Sequence, residues 1–409
     1  MIVRRRSVLS GALAAAFPAV RARAQGRPTI RVGVLTSLSG PYQDGAGAGS
    51  VLAARMAAED FARGHDPGFS VEILAGDMQD KPDVGAEVAR AWFDRDAVDA
   101  VCDVPNSAVA LAVATVARER DKVALFSGPG VASLSGAACG PNHVQWTYDT
   151  GALAATTGRA VLAEGGRRWF FIAADYAFGH ALQADTARVV QAGGGTVLGG
   201  VAFPFPDTTD FSSYLLAARA SGADVIGLAC TAAHFVTLVK QAHEFGITQG
   251  GQRLASLICL VTNIRAIGLP DAQGLLLSLP FYWDLNEGTR AFARRFGAAF
   301  GGTMPSMVQA GAYSATLHYL KAVAALGAAR ARDGAAAVAE MKHIPVQDKL
   351  FGRSVLRANG SVAHDMHLFR VKSPAESRGG WDYLTALRTI PAAEAFRPAD
   401  QSGCRMERS

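Results

Sequence analysis

The chain has 409 residues, half of them hydrophobic and 18% charged, with 40 Lys and Arg against 35 Asp and Glu, a formal net charge of +5. This excludes a disordered or collagen-like polymer and allows a core for about two domains at roughly 100–200 residues each. The charge excess would point to nucleic acid or an anionic membrane, but Arg4, Arg5, Arg6, Arg21 and Arg23 equal all of it and residues 1–24 hold no acid.

That basic segment reads as a leader. Arg4-Arg5-Arg6 precedes an apolar run to Phe17, and Ala22-Arg23-Ala24 has the small residues of a cleavage site ahead of Gln25. The run is about half the ~20 residues that span a bilayer, so it does not read as a permanent anchor. The paired arginines resemble a twin-arginine signal, with a general secretory signal as the alternative. Either signal exports the protein, with cleavage expected after Ala24, and without the leader the chain is nearly neutral and needs no nucleic-acid partner.

From Ile30 onward, short β-branched runs alternate with helical periodicity. Strands are expected at Ile30–Leu35, Val71–Leu74, Val98–Cys102 and Val123–Phe126, with helices at 48–62, 83–94 and 107–119 between them. The pattern then restarts with a helix at 150–164. Strands follow at Trp169–Ala173, Thr196–Ala202, Val225–Ala229 and Leu254–Cys259. Such alternation predicts an α/β protein of two lobes, each a doubly wound parallel sheet. After 285 the pattern is mainly helical: Phe292, Phe296 and Phe300 form a core-facing stripe, and a long helix runs over Met307–Leu326. A hairpin over Leu350–Val371 turns at Asn359-Gly360.

Five cysteines leave at least one outside any intrachain disulfide. Cys102, Cys230 and Cys259 lie in apolar strand contexts. Cys139 and Cys404 lie in Gly-rich loops, where an exported protein can bridge them.

Ligands of open α/β sheets sit beyond the carboxyl ends of the strands. The first strand ends in a Gly-rich turn, Gly40-Pro41-Tyr42-Gln43-Asp44-Gly45-Ala46-Gly47, whose spacing does not match a dinucleotide or P-loop fingerprint. Asp103-Val104-Pro105-Asn106-Ser107 follows the third strand, with Asn106 or Ser107 as a helix cap. Ser127-Gly128-Pro129-Gly130 follows the fourth and permits close backbone approach. Asp175-Tyr176-Ala177-Phe178-Gly179 follows the first strand of the second lobe. Catalytic patterns are missing: there is no G-x-S-x-G elbow. His234 and His243 lack ligand spacing, and His364-Asp365-Met366-His367 reads as a solvated loop. No cofactor is expected.

Together, Val34–Tyr42, Asp175–Gly179, Thr209-Asp210-Phe211-Ser212, Phe281-Tyr282-Trp283-Asp284, Gln309–Ser314 and Gly403-Cys404 resemble a periplasmic substrate-binding protein of an ABC importer, of the branched-chain amino acid (type I) class. The resemblance spans the chain after the leader. It implies two lobes joined by three crossings that close on a ligand by a hinge, the motion for which periplasmic binding proteins are the standard example. The first lobe would be 28–147 with 285–347, the second 148–284 with 348–395, and 396–409 a tail. It implies a non-enzymatic periplasmic receptor, monomeric, partnered by permease subunits in the inner membrane. In the family the loops after the third and fourth strands grip a carboxylate, here Asn106, Ser107 and the backbone of Gly128 to Gly130. The amino-acid binders hold the ammonium with a tyrosine and a glutamate, whereas Thr231-Ala232-Ala233 and Leu260–Asn263 stand there in this chain. An unpaired buried ammonium is costly, so the resemblance implies a small aromatic acid, enclosed by Tyr42, Tyr176, Phe178 and Tyr282, with Asp175 in the same motif. The alternatives are a branched-chain amino acid or short amide as ligand, a sensor for a membrane receptor, and an amide hydrolase on the same fold.

Overall fold

A computed structural model describes residues 27–64 and 66–406. The leader and its cleavage after Ala24 lie outside the described residues.

The first sheet has the order β2-β1-β3-β4-β5, all parallel, from β1 (Thr29–Thr36), β2 (Ser70–Asp77), β3 (Ala100–Asp103), β4 (Val123–Phe126) and β5 (His143–Gln145). β3 and β4 are buried along their whole length. They read as continuous apolar runs because helices cover both faces of a parallel sheet. On one face the Trp92 indole lies flat against β1 and β2. A β-carbon at Gly33 or Gly76 would fall 2.4 or 2.6 Å from its ring, which is why glycine stands at both positions.

The second sheet repeats the scheme with the order β7-β6-β8-β9, from β6 (Arg168–Ala174), β7 (Thr196–Phe203), β8 (Val225–Ala229) and β9 (Arg253–Ser256), again all parallel. The architecture is α/β in two lobes, each built on a parallel sheet, as the alternation predicts. The chain then forms β10 (Leu276–Leu279) and crosses back. Helix Glu287–Ala299 presents Phe292 and Phe296 to the core, with ring centroids 5.9 Å apart. Helix Met307–Leu326 packs on helix Gly47–Gly64 beside the first sheet.

The last part departs from the expected hairpin. β11 (Val346–Asp348), β12 (Gly352–Leu356) and β13 (Val362–Ala363) form one antiparallel ladder, while β14 (Met366–Val371) pairs with β10 and with β15 (Leu384–Ile390). The turn at Asn359-Gly360 is present, with Gly360 at φ +83°. Its carbonyl accepts from the Gln145 amide at 2.8 Å, so the tip docks on the first sheet. The His364 loop is not solvated: His364 is buried between Phe351 and Phe396, at centroid distances of 5.2 and 5.3 Å. Cys139 and Cys404 are disulfide-bonded, and Cys102, Cys230 and Cys259 are buried thiols.

Candidate functional site

The carboxyl ends of both parallel sheets face one another across a cleft, and their loops enclose a cavity of about 190 Å³. The first lobe contributes Pro41 to Ala46 after β1, Pro105 after β3, Gly128 and Gly130 after β4, and Tyr148 after β5. The second contributes Tyr176 and Phe178 after β6, Thr231 to Ala233 after β8, and Leu260, Thr262 and Asn263 after β9.

Each wall is set by the local sequence. The loop after β1 is pinned from helix Met307–Leu326: the Ser306 hydroxyl donates to the Gly45 carbonyl, and Gln309 Nε2 donates to the Ala46 carbonyl at 3.1 Å. The turn after β3 puts Asp103 and Val104 at φ +80° and +53°. For a β-branched residue that is a true outlier, and such strain collects at ligand sites. Gly130 is dictated by its neighbours, because a β-carbon there would lie 2.5 Å from the Tyr148 ring and 2.7 Å from that of Phe178. Tyr148 in turn donates its hydroxyl to the Gly128 carbonyl at 2.7 Å.

The Tyr42 and Tyr176 hydroxyls are hydrogen-bonded across the cleft. Phe205 stacks behind Tyr176, with centroids 4.3 Å apart and planes 15° from parallel. Desolvation by burial pushes both phenols above their ordinary pKa, so both stay neutral.

Among the described lining residues none is Lys, Arg, His, Ser or Cys, and Asp44 at the exposed mouth is the one charged group. Two buried carboxylates stand behind the first-lobe loops. Asp103 accepts from Thr36 Oγ1 at 2.7 Å and from Ser127 Oγ at 2.9 Å. Asp80 accepts from Ser37 Oγ at 2.7 Å. Desolvation outweighs these hydrogen bonds and pushes each carboxyl up to about 6.

Of the residues expected from sequence, Tyr42, Gly128, Gly130, Tyr176 and Phe178 line the cavity. Four others stand outside it, each for a local reason. Asn106 caps helix Ser107–Glu119, its Oδ1 accepting from the Ala108 and Val109 amides. The Ser107 hydroxyl accepts from the Val131 amide at 3.3 Å. Asp175 is turned to solvent, where it pairs with His180 at 2.7 Å. Tyr282 is buried outside the cavity lining, donating to the Trp381 carbonyl at 3.0 Å. Sequence reasoning missed Tyr148, which follows a three-residue strand too short to show periodicity. Phe205 was missed as well; its one signal is the Phe-Pro-Phe-Pro run at the end of β7.

A family model described as periplasmic binding protein matches residues 29–379. The chain belongs to that family. The periplasmic binding protein is similar to solved structures over nearly all of its length. One from Burkholderia mallei, also a periplasmic binding protein, is 41% identical, with a TM-score of 0.88 over 93% of this chain and 99% of that one. A branched-chain amino acid ABC transporter ligand-binding protein from Burkholderia xenovorans is 40% identical, with a TM-score of 0.81 over 92% and 99%. An R. palustris solute-binding protein solved with benzoate shares the fold at 21% identity, with a TM-score of 0.79 over 92% and 100%. No curated protein matches the chain. The family is periplasmic and solute-binding, and in this binding protein the cavity sits between the lobes, at the ends of both sheets.

Proposed function

We propose that the protein is a non-enzymatic, monomeric receptor that closes on a small aromatic carboxylate and presents it to an ABC permease after export and cleavage at Ala24. One observation carries this reading. The closed cleft holds a ring-sized cavity walled by Tyr42, Tyr148, Tyr176 and Phe178. A cavity of about 150 Å³ accepts benzene, so about 190 Å³ leaves room for a ring and its carboxylate. Aromatic contacts of this kind contribute roughly 0.5–1.5 kcal/mol each beyond area.

A branched-chain amino acid suits the cavity less well. Its ammonium needs buried acceptors, and the second-lobe wall of Thr231–Ala233 and Leu260–Asn263 holds no carboxylate. The family's solute-binding role, together with a lining without Ser, Cys or His, supports a receptor over an amide hydrolase.

A thermal-shift panel of benzoate, 4-hydroxybenzoate, phenylacetate, leucine and a short amide tests the proposal. A true ligand adds ~2.7 kcal/mol of apparent stability at one hundred times its dissociation constant. Stabilisation by leucine with none by the ring acids overturns it.

A further inference from the structure

We infer that Gln145, which does not line the cavity, is a positioning residue for the ligand carboxylate: it aims the Gly130 amide into the cavity as a donor. The inference rests on the proposed carboxylate ligand and names the backbone group that receives it.

The loop Gly128–Val131 follows β4, and the protein itself takes up nearly all of its backbone polar groups. The Gly128 amide donates to the Asp103 carbonyl at 3.3 Å, and the Val131 amide to Ser107 Oγ at 3.3 Å. All four carbonyls accept from the segment that leads from β5 towards the second sheet. The Tyr148 hydroxyl donates to the Gly128 carbonyl at 2.7 Å, and the Thr150 amide to the Gly130 carbonyl at 2.7 Å. Gln145 Nε2 donates twice, to the Pro129 carbonyl at 3.2 Å and to the Val131 carbonyl at 3.1 Å. Proline has no N–H, so one group is left over. The buried Gly130 amide has no hydrogen-bond partner among the described residues. Such an N–H is unfavourable until something accepts from it.

Gln145 sets the direction of that amide. In a planar trans peptide the C=O and the following N–H point opposite ways, and the Pro129–Gly130 bond is trans. The Pro129 carbonyl turns to Gln145, so the Gly130 N–H turns away from it. Gln145 is 2% exposed at the end of β5 and outside the cavity lining, whereas Gly130 lines the cavity. The Gln145 carboxamide cannot reverse. Its Oε1 accepts from Ser135 Oγ at 2.9 Å, and a flip would set that oxygen against two carbonyls, which only accept. A β-carbon at Gly130 would meet the Tyr148 and Phe178 rings, so the donor sits beside the aromatic wall. A carboxylate is an acceptor-only group, and its hydrogen bonds are roughly twice as strong as neutral ones. The free amide next to a ring-sized space is therefore matched to a ring acid.

Two measurements test this. Proline labelled with carbonyl carbon-13 and glycine with nitrogen-15 single out Gly68 and Gly130, the two glycines that follow proline. Gly68 is exposed and outside the cavity lining. Benzoate is expected to move the Gly130 amide proton downfield, further than neutral benzamide does, and to leave Gly68 in place. Calorimetric titration then compares the parent with Gln145→Met, which keeps the side-chain length and loses both donations. Gln145→Met is expected to weaken benzoate about tenfold, as for loss of a hydrogen bond to a charged group, and benzamide by less. The preference for the anion shrinks accordingly, whereas a merely structural role would weaken both ligands alike. Equal weakening of both ligands, or no change in either, overturns the inference, as does a Gly130 signal that benzoate leaves in place. The Gly130 arm needs only the parent and decides alone if Gln145→Met does not fold. In each case the ring-acid receptor stands, because benzoate still binds. Absence of benzoate binding to the parent overturns the inference by itself, and the wider panel then decides the receptor reading.

Discussion

The Tyr42 hydroxyl, from the loop after β1, and the Tyr176 hydroxyl, from the loop after β6, lie 2.5 Å apart. One belongs to each lobe, so in the proposed hinge motion this contact forms only as the cleft closes and would tie the ligand cavity to that equilibrium. A net contribution of about 0.5–1.5 kcal/mol is expected for a hydrogen bond of this kind. Tyr176→Phe should therefore weaken the ligand by roughly two- to tenfold, mainly through faster dissociation. Stopped-flow kinetics checks this, and an unchanged dissociation rate would show that the bond does not hold the closed state.

Gly130→Ala tests the aromatic wall. Its β-carbon would meet Tyr148 and Phe178 at 2.5 and 2.7 Å, both rings being buried. Overpacking at such a site costs typically ~1–3 kcal/mol. The expected outcome is a lower melting temperature together with loss of ring-acid binding, read by differential scanning fluorimetry with and without benzoate.

Asp80 and Asp103 give stability a pH dependence of defined sign. Each carboxyl titrates near 6 in the folded chain, against about 3.9 when unfolded. The folded state therefore holds the extra protons, and the stability they contribute is complete below about pH 4 and lost as pH rises through about 6. The buried histidines His143, His234, His318 and His364 act oppositely. Desolvation lowers their pKa, so their contribution is lost as pH falls below the ordinary value. The informative quantity is the difference between Asp103→Asn and the parent. That difference should favour the variant by on the order of 2 kcal/mol more at pH 7.5 than at pH 4.5. Parallel stability curves in urea at the two pH values would contradict the assignment.

The Cys139–Cys404 bridge closes 265 residues of chain and ties the tail to the loop after β4. Cross-links over long loops contribute typically ~2–4 kcal/mol through the unfolded state. Cys404→Ser should lower stability in urea by that order while Cys102, Cys230 and Cys259 stay buried. A variant of unchanged midpoint would mean that the bridge only anchors the tail.

Much of the molecule was legible because local signals and tertiary structure agree. β4 and β8 coincide with their apolar runs, helix Met307–Leu326 with its periodicity, and Asn106 with the cap its residue type favours. Tyr42, Gly128, Gly130, Tyr176 and Phe178 were reachable by one rule, that ligands gather at strand ends. Tyr282 follows the same rule and fails, because β10 pairs antiparallel with β14 and belongs to neither parallel sheet. Tyr148 escaped because three residues carry no period. His364 escaped because its burial comes from Phe351 and Phe396, and the second lies 32 residues away in the chain.

The sequence by itself determined the alternation of strand and helix, hence two parallel sheets, and placed the loops that face the cleft. It also located the excess basic charge in residues 1–24, the segment expected to be a leader. Only the tertiary structure decided which side chains in those loops remain free. Asn106 and Ser107 are the right residue types in the right loop, yet the helix start and the Val131 amide consume them. The Thr262 hydroxyl, on the facing lobe, is left without a hydrogen-bond partner among the described residues. Residue type sets what a group can donate. Whether the donor is still available depends on every neighbour that folding brings within hydrogen-bond reach, and those neighbours are distant in sequence.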